Sequence, residues 1–360
     1  MRRYLKECRR LLAGGLLLIL ALTGCGVSES SENVLQAAAE ARQEAQAKEE
    51  STAEPQDTVN IILTHSEQLN SLTNEAAEYL RDRLSEISGG TMQIAVYGNN
   101  SLGTLAESIQ SFQNGTTQMR IGTINSAVLQ IFRFLPTLNG ADIDTMEAAL
   151  EEGTEFRELI DTEVQKDHGR LLGNLPIMYR WVTSEYPIRT PEDAKKIRMR
   201  TVGVRIEEDY WRTMGMESES FPVEQVYSAL QLGYVNAQEN TIPSIISNRI
   251  YEQQKYAINL RHRVYMDQIF VNENFYQELT EEQQTWLCEA AEETVDYISG
   301  QAETYENQGL QQFKEAGLTV IELTEEERES LLSSVREYTY NSYVESCGKE
   351  LVDRVMDLVH

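Results

Sequence analysis

Residues 178–200 read MYRWVTSEYPIRTPEDAKKIRMR, and residues 221–240 read FPVEQVYSALQLGYVNAQEN. Arg180 and Arg200 each stand in a short segment of alternating pattern, which puts side chains two apart on one face of a strand. Tyr179 and Trp181 alternate with Arg180 and Val182, and Ile197 and Met199 alternate with Arg198 and Arg200. An arginine with apolar strand neighbours is a candidate for a cleft wall, where its planar fork can grip a carboxylate in two parallel hydrogen bonds. Thr190 before Pro191, Glu192 and Asp193 marks a short helix, with threonine as N-cap and proline in the first position. The second stretch reads as a helix over 224–232 stopped by Gly233, then a short strand, then Asn240 at the junction with a helix over 242–248. Strand ends that feed helix N-termini are where open α/β sheets hold ligands. Asn240 is therefore a site candidate, with capping of the next helix as its other possible task.

Working outward, strands are predicted over 59–63, 92–97, 119–123, 171–175, 178–183, 196–200, 234–238, 256–260 and 264–271. Helices are predicted over 71–87, 104–113, 147–166, 204–214, 280–316 and 325–358. Thr280 and Gln283 match a capping box at the start of the longest. Strand–helix alternation of this kind specifies an α/β fold. The element order predicts two interleaved α/β lobes around a ligand cleft, one at 58–175 plus about 264–300, the other at 176–263. Chain crossings between such lobes form a hinge, and ligands commonly bind at the junction. Thr64, His65, Ser66 and Glu67 follow the first strand and can supply polar contacts there; Asn125 and Ser126 follow the third. Glu239 is placed to pair with an arginine of the site. Trp181, Tyr210, Trp211 and Tyr227 read as core, and Phe221 is the aromatic expected in the pocket.

The first 24 residues read as a signal peptide. Arg2, Arg3, Lys6, Arg9 and Arg10 precede an apolar run over 11–22 that is too short to span a bilayer comfortably. The run ends in Leu22-Thr23-Gly24-Cys25, which looks like a bacterial lipobox, so Cys25 is the expected lipidated N-terminus of the mature chain. Residues 25–57 are rich in Ser, Glu, Gln and Ala and lack the aliphatic bulk to build a core, so they read as a tether. A coiled-coil partner site would need an apolar heptad, which this segment lacks.

The formal net charge is −27, and removal of the leader takes away five Lys/Arg against one Glu. A body this acidic repels phosphate backbones, which argues against nucleic acid as a partner. Steering of an anion from a distance would be weak too, since salt screens charge beyond about 8–10 Å. Cys288 and Cys347 are the two cysteines of the body, and their geometry decides whether they pair. No C-x-x-C or His/Cys cluster supports a metal, and no cofactor is implied. G-x-S-x-G, H-E-x-x-H, P-loop and dinucleotide fingerprints are absent from the sequence, which argues against a secreted enzyme.

The segment PIRTPEDAKKIRMR (187–200) resembles the P-I-x-T-P-x-D-x-K-G-x-K-x-R signature of TRAP-transporter solute-binding proteins of the DctP type. EQVYSALQLGYVNAQEN (224–240) resembles the same family's E-V-Y-x-A-L-x-x-G-x-V-D-G-x-E-N. The resemblance implies a lipid-anchored extracytoplasmic protein that captures a small carboxylate and delivers it to the small and large subunits of a TRAP-type permease. It also implies one long helix spanning both lobes, within the 280–360 region of the long helix and the C-terminal helices. Arg200 falls on the family's ligand-gripping arginine, Arg180 on a second arginine, and Asn240 on a polar residue of the site. Asn236, Ala237 and Thr201 depart from the Asp, Gly and Pro common in the family. A binding lipoprotein of an ATP-driven importer or of a sensory receptor would share the fold and is the alternative.

Overall fold

The computed structural model describes residues 58–124 and 126–359. The signal segment, Cys25, the tether and Asn125 lie outside the described residues. The strands are β1 Val59–Thr64, β2 Met92–Tyr97, β3 Met119–Gly122, β4 Gly169–Asn174, β5 Met178–Tyr179, β6 Trp181–Ser184, β7 Arg198–Thr201, β8 Glu217–Ser220, β9 Ala237–Asn240, β10 Tyr256–Asn259, β11 Val264–Tyr265, β12 Gln268–Asn272 and β13 Thr319–Glu322. They form a five-stranded sheet of order β2-β1-β3-β12-β4, a six-stranded sheet of order β13-β10-β6-β9-β7-β8, and a two-stranded ribbon of β5 and β11.

The first sheet begins as two β-α-β crossovers. Strand β1 runs parallel to β2, with Ile61 opposite Ile94, and parallel to β3. The connecting helices are Leu72–Ile87, N-capped by Ser71, and Leu105–Gln113, started by a Thr104–Glu107 capping box. Strand β12 then inserts antiparallel between β3 and β4. In the second sheet β7 is parallel to β8 and β9, while β6 is antiparallel to β9 and β10. The α/β architecture expected from element order is present.

The chain passes from one sheet to the other between β4 and β6 and returns between β10 and β12. These two passages pair with each other through the ribbon, with Tyr179 opposite Val264 and Met178 opposite Tyr265. The helix Glu281–Glu315 makes the third passage, to β13. Its capping box is formed, with Thr280 N donating to Gln283 Oε1 at 2.9 Å. At 35 residues it is about 50 Å long. Leu287, Ala290, Ala291 and Ile298 bury in the core under the first sheet, and Phe313 buries in a core with Trp181 and Ala257 of the second. The helix therefore spans both halves of the fold. Ser299 and Gly300 fall between its two buried stretches, and nothing lies within 4 Å of a Cβ built at Gly300.

Several elements differ from expectation for local reasons. The helix predicted over 147–166 is two helices, Ile143–Ala149 and Glu155–Lys166, divided at Gly153 with φ +83°. The last helix divides at Gly348, φ +90°, into Glu325–Cys347 and Lys349–Leu358. The strand predicted over 178–183 is interrupted at Arg180, whose backbone N–H turns to Arg263 O at 3.1 Å. Cys288 and Cys347 are free thiols.

Gly309 lets the long helix lie against helix Ile242–Ser247, since a Cβ there would fall 2.2 Å from Ile242 Cγ2. Gly309→Val is expected to lose about 1–3 kcal/mol through overpacking. A lower urea midpoint at unchanged slope would register it; an unchanged midpoint would show that the contact gives way freely.

Candidate functional site

A cavity of about 740 Å³ opens between the two sheets. One wall comes from the first sheet's side, with Ser66, Glu67 and Asn100 on loops, Thr73 at the start of the first helix and Arg120 on β3. The opposite wall comes from the ends of β7 and β9, with Arg200, Val202, Asn240 and Thr241. The crossing segments close it with Leu175, Met178, Arg180, Tyr265 and Asp267. Its size suits a small molecule.

Behind this surface lies a closed charge cluster. Val182 on β6 pairs with Glu239 on β9, and Arg180 precedes β6 by one residue, so the register brings the arginine to the glutamate. Arg180 donates through Nε and Nη2 to the Glu239 carboxylate and through Nη2 to Glu239 O at 2.9 Å. Arg263 reaches the same carboxylate with Nη2 at 2.5 Å and Nε at 3.2 Å, and gives Nη1 to Glu207 at 2.7 Å. His262 Nε2 lies 3.2 Å from Glu239 Oε2. Burial pulls His262 below its ordinary value, so the ring is neutral and donates from Nε2 to an oxygen that can only accept. Burial alone would raise Glu239, but Arg180, Arg263 and the His262 hydrogen bond together hold it well below the usual carboxylate range.

Arg200 is arranged differently. It is 4 % exposed, and Nε is committed to Phe221 O at 2.8 Å. Among the described residues, Nη1 and Nη2 have no hydrogen-bond partner. Burial brings the guanidinium down to about 10, a fall that Glu239 limits, so it remains charged at neutral pH. The site thus presents one open end-on fork, the geometry for a carboxylate.

The facing wall carries acids. Asp267 accepts from Thr73 Oγ1 at 2.7 Å and Tyr265 OH at 2.8 Å. Arg120 gives Nη1 to Thr123 O at 2.7 Å. Tyr265 stacks near Arg180 and Arg133, the latter buried outside the cavity surface. Among the described residues the Glu67 side chain makes neither a hydrogen bond nor an ion pair. Burial and Asp267 push it up to about 7, while Arg180 opposes.

Of the residues expected from sequence, Arg180, Arg200, Asn240 and Ser66 share the cavity wall. Three others lie behind it: His65 and Phe221 as corrections, and Glu239 in the expected pairing with an arginine of the site. His65 is buried with Nε2 on Asn74 Oδ1 at 3.1 Å, and Gly98 packs against its ring. Phe221 contributes its carbonyl to Arg200 and stacks its ring on Tyr234, while its neighbours Pro222 and Val223 line the cavity. The Glu239 carboxylate is consumed by its cations. Arg198 is exposed at the edge, with Nη2 on Gly233 O. Asn240 Oδ1 accepts from Thr241 N at 3.2 Å, and the N-cap of the next helix is Thr241. Sequence reasoning missed Arg120, Arg263, Tyr265 and Asp267; of these only Arg120, a charge inside the otherwise apolar β3, left a local signal.

A profile of DctP, described as bacterial extracellular solute-binding protein, family 7, matches residues 63–346. The chain belongs to that family. Members are substrate-binding proteins rather than enzymes. The chain is similar to the C4-dicarboxylate-binding protein DctB of Bacillus subtilis, 24% identical over 84% of this chain and 87% of that one. It is also similar to the ectoine-binding periplasmic protein TeaA of Halomonas elongata, 27% identical over 74% of this chain and 80% of that one. A TRAP periplasmic solute-binding protein from Sulfurospirillum deleyianum, solved with succinate, shares the fold, with TM-score 0.74, 20% identity and coverage of 83% and 99%.

Glu239→Gln leaves two buried guanidinium groups short of a charge partner and is expected to cost about 3–5 kcal/mol of stability at pH 7. Because the Glu239 pKa is depressed, its contribution is complete above the ordinary value of 4.5 and is lost as pH falls through the folded value. Urea titrations should therefore separate the two proteins by a constant gap down to about pH 4.5 and a narrowing gap below it. A gap that narrows already between pH 7 and 5 would contradict the charge assignment.

Proposed function

We propose that this protein captures a small organic acid outside the cytoplasm and delivers it to a TRAP-type secondary transporter in the membrane. The open Nη1/Nη2 pair of Arg200, buried in the wall of a ligand-sized cavity, carries this reading. Similar proteins are named for C4-dicarboxylates, sialic acid and 2,3-diketo-L-gulonate, all of which offer a carboxylate. In this reading the carboxylate sits end-on against Arg200, with Asn240 and the Nη1 of Arg180, unpartnered among the described residues, beside it.

The interleaved segments 58–175 with about 264–300, and 176–263, act as the two lobes. Closure expels water and strengthens the ion pair. Without ligand, a closed cleft would leave the Arg200 charge buried and unpaired, which favours the open form. Ligand supplies the differential free energy, and the closed form is the one the permease receives. Cys25 carries the lipid that keeps the body at the membrane, and residues 26–57 give it reach.

Thermal shift against a set of carboxylates identifies ligands, since binding stabilises the fold by RT ln(1 + [L]/Kd). Arg200→Ala is expected to abolish the shift, and Arg200→Lys to weaken affinity at least tenfold, because a lysine cannot reproduce two parallel bonds. Near-native affinity in the lysine variant would count against the end-on grip. Cys25→Ser is expected to move the protein from the detergent phase to the aqueous phase of a Triton X-114 partition; retention in detergent would refute the anchor.

A further inference from the structure

The wall opposite Arg200 carries a carboxyl group, Glu67, with no hydrogen bond or ion pair among the described residues. Asp267 already holds two donors, from Thr73 and Tyr265, and its neighbour Arg120 has turned Nη1 to a backbone carbonyl. Most of the Arg180 fork is taken by Glu239. This leaves Glu67 as a cavity-lining carboxyl without a partner among the described residues, with Asp267 and exposed Glu224 as further acids on the same cavity. Glu67 is also held in place. Asn99 N donates to Glu67 O at 3.0 Å, His65 N donates to Tyr97 O at 3.2 Å, and the His65 ring is fixed on Asn74. Among the described residues the cavity therefore offers Arg200 with both Nη atoms open and Glu67 as an acid without a partner, while Arg120 and Arg180 line it with their forks partly used.

We propose that the ligand carries a cationic nitrogen as well as its carboxylate, with the carboxylate on the Arg200 fork and the nitrogen on Glu67. This rests on the carboxylate-binding reading and narrows it to zwitterionic acids. A dicarboxylate in the same pose would bring its second charge against Glu67, Asp267 and Glu224, a like-charge contact in a water-poor site. A protonated amine, amidine or quaternary nitrogen gives Glu67 the partner it lacks.

The protonation of Glu67 gives the idea a sign that can be read. Burial, then Asp267, push the carboxyl up to about 7, with Glu224 adding to them and Arg180 opposing. The free protein at neutral pH is thus a mixture of protonated and ionised Glu67. A cation bound beside it favours the ionised form, so binding releases a proton. A second anion bound there favours the acid form, so binding takes a proton up.

The purified full-length protein is screened by thermal shift with pairs in which only one member carries a cationic nitrogen: γ-aminobutyrate against succinate, δ-aminovalerate against glutarate, the standard amino acids against their α-hydroxy analogues, and glycine betaine against acetate. The expected result is that a cation-bearing acid binds at least tenfold more tightly than its counterpart. Titration calorimetry of that acid at pH 7 in phosphate and in Tris should then show net proton release. Glu67→Gln should cost the cation-bearing acid tenfold or more and abolish the proton release. The thermal midpoint of the ligand-free variant reports whether it is folded, and the wild-type proton count stands if it is not. Stabilisation by plain acids alone, or proton uptake on binding, overturns the proposal and leaves the carboxylate reading intact. Stabilisation by neither series overturns both.

Discussion

The Glu239 carboxylate, held by Arg180, Arg263 and His262, is the interaction on which the rest of the site depends. It joins the three pieces of chain that meet at the crossing: the residue before β6, the end of β9 and the segment before β11. An isolated ion buried at this depth would be very costly, and only the simultaneous presence of two guanidinium groups and a neutral imidazole makes it tolerable. Among the described residues the Glu239 carboxylate itself is saturated. Arg200 stands apart because the two carboxylates that act on it, Glu239 and Glu207, are already held by Arg180 and Arg263.

In the proposed reading, selectivity follows from how incomplete each wall is. The second sheet supplies a guanidinium anchored at Nε, so its free face has a single orientation. The first sheet supplies polar loop ends fixed by main-chain hydrogen bonds, so its groups do not drift to meet whatever enters. Two fixed walls with unmatched charges discriminate by leaving a wrong ligand's groups unpaired, a stronger filter than shape alone.

The sequence was most informative where one strand face told the story. Alternation at 197–200 and 179–182 exposed Arg200 and Arg180 as charges among apolar neighbours, and the 224–240 pattern located Asn240. It was blind where function depends on which strand lies beside which. Arg263 and Asp267 flank β11, a short strand that pairs with β5 from far back in the chain, so their meeting with Arg180 and Thr73 is a product of topology rather than local pattern. For Glu239 the sequence suggested one arginine partner, but not Arg263 and His262, which come from elsewhere in the chain. Phe221 acts through its backbone oxygen, which no residue identity reveals. Strand β8, ESES, lacks the apolar alternation of a half-buried strand and exists because β7 offers it a main-chain edge.

The helix Glu281–Glu315 is anchored at one end under the first sheet and at the other under the second, with the unpacked Ser299-Gly300 pair between. A continuous helix resists shear but yields to flexure at its softest residues, and a Ser/Gly pair is such a place. Any rotation of one sheet against the other must load this rod. In the proposed closure it would act as a leaf spring, bent as the lobes shut and straightening as they reopen.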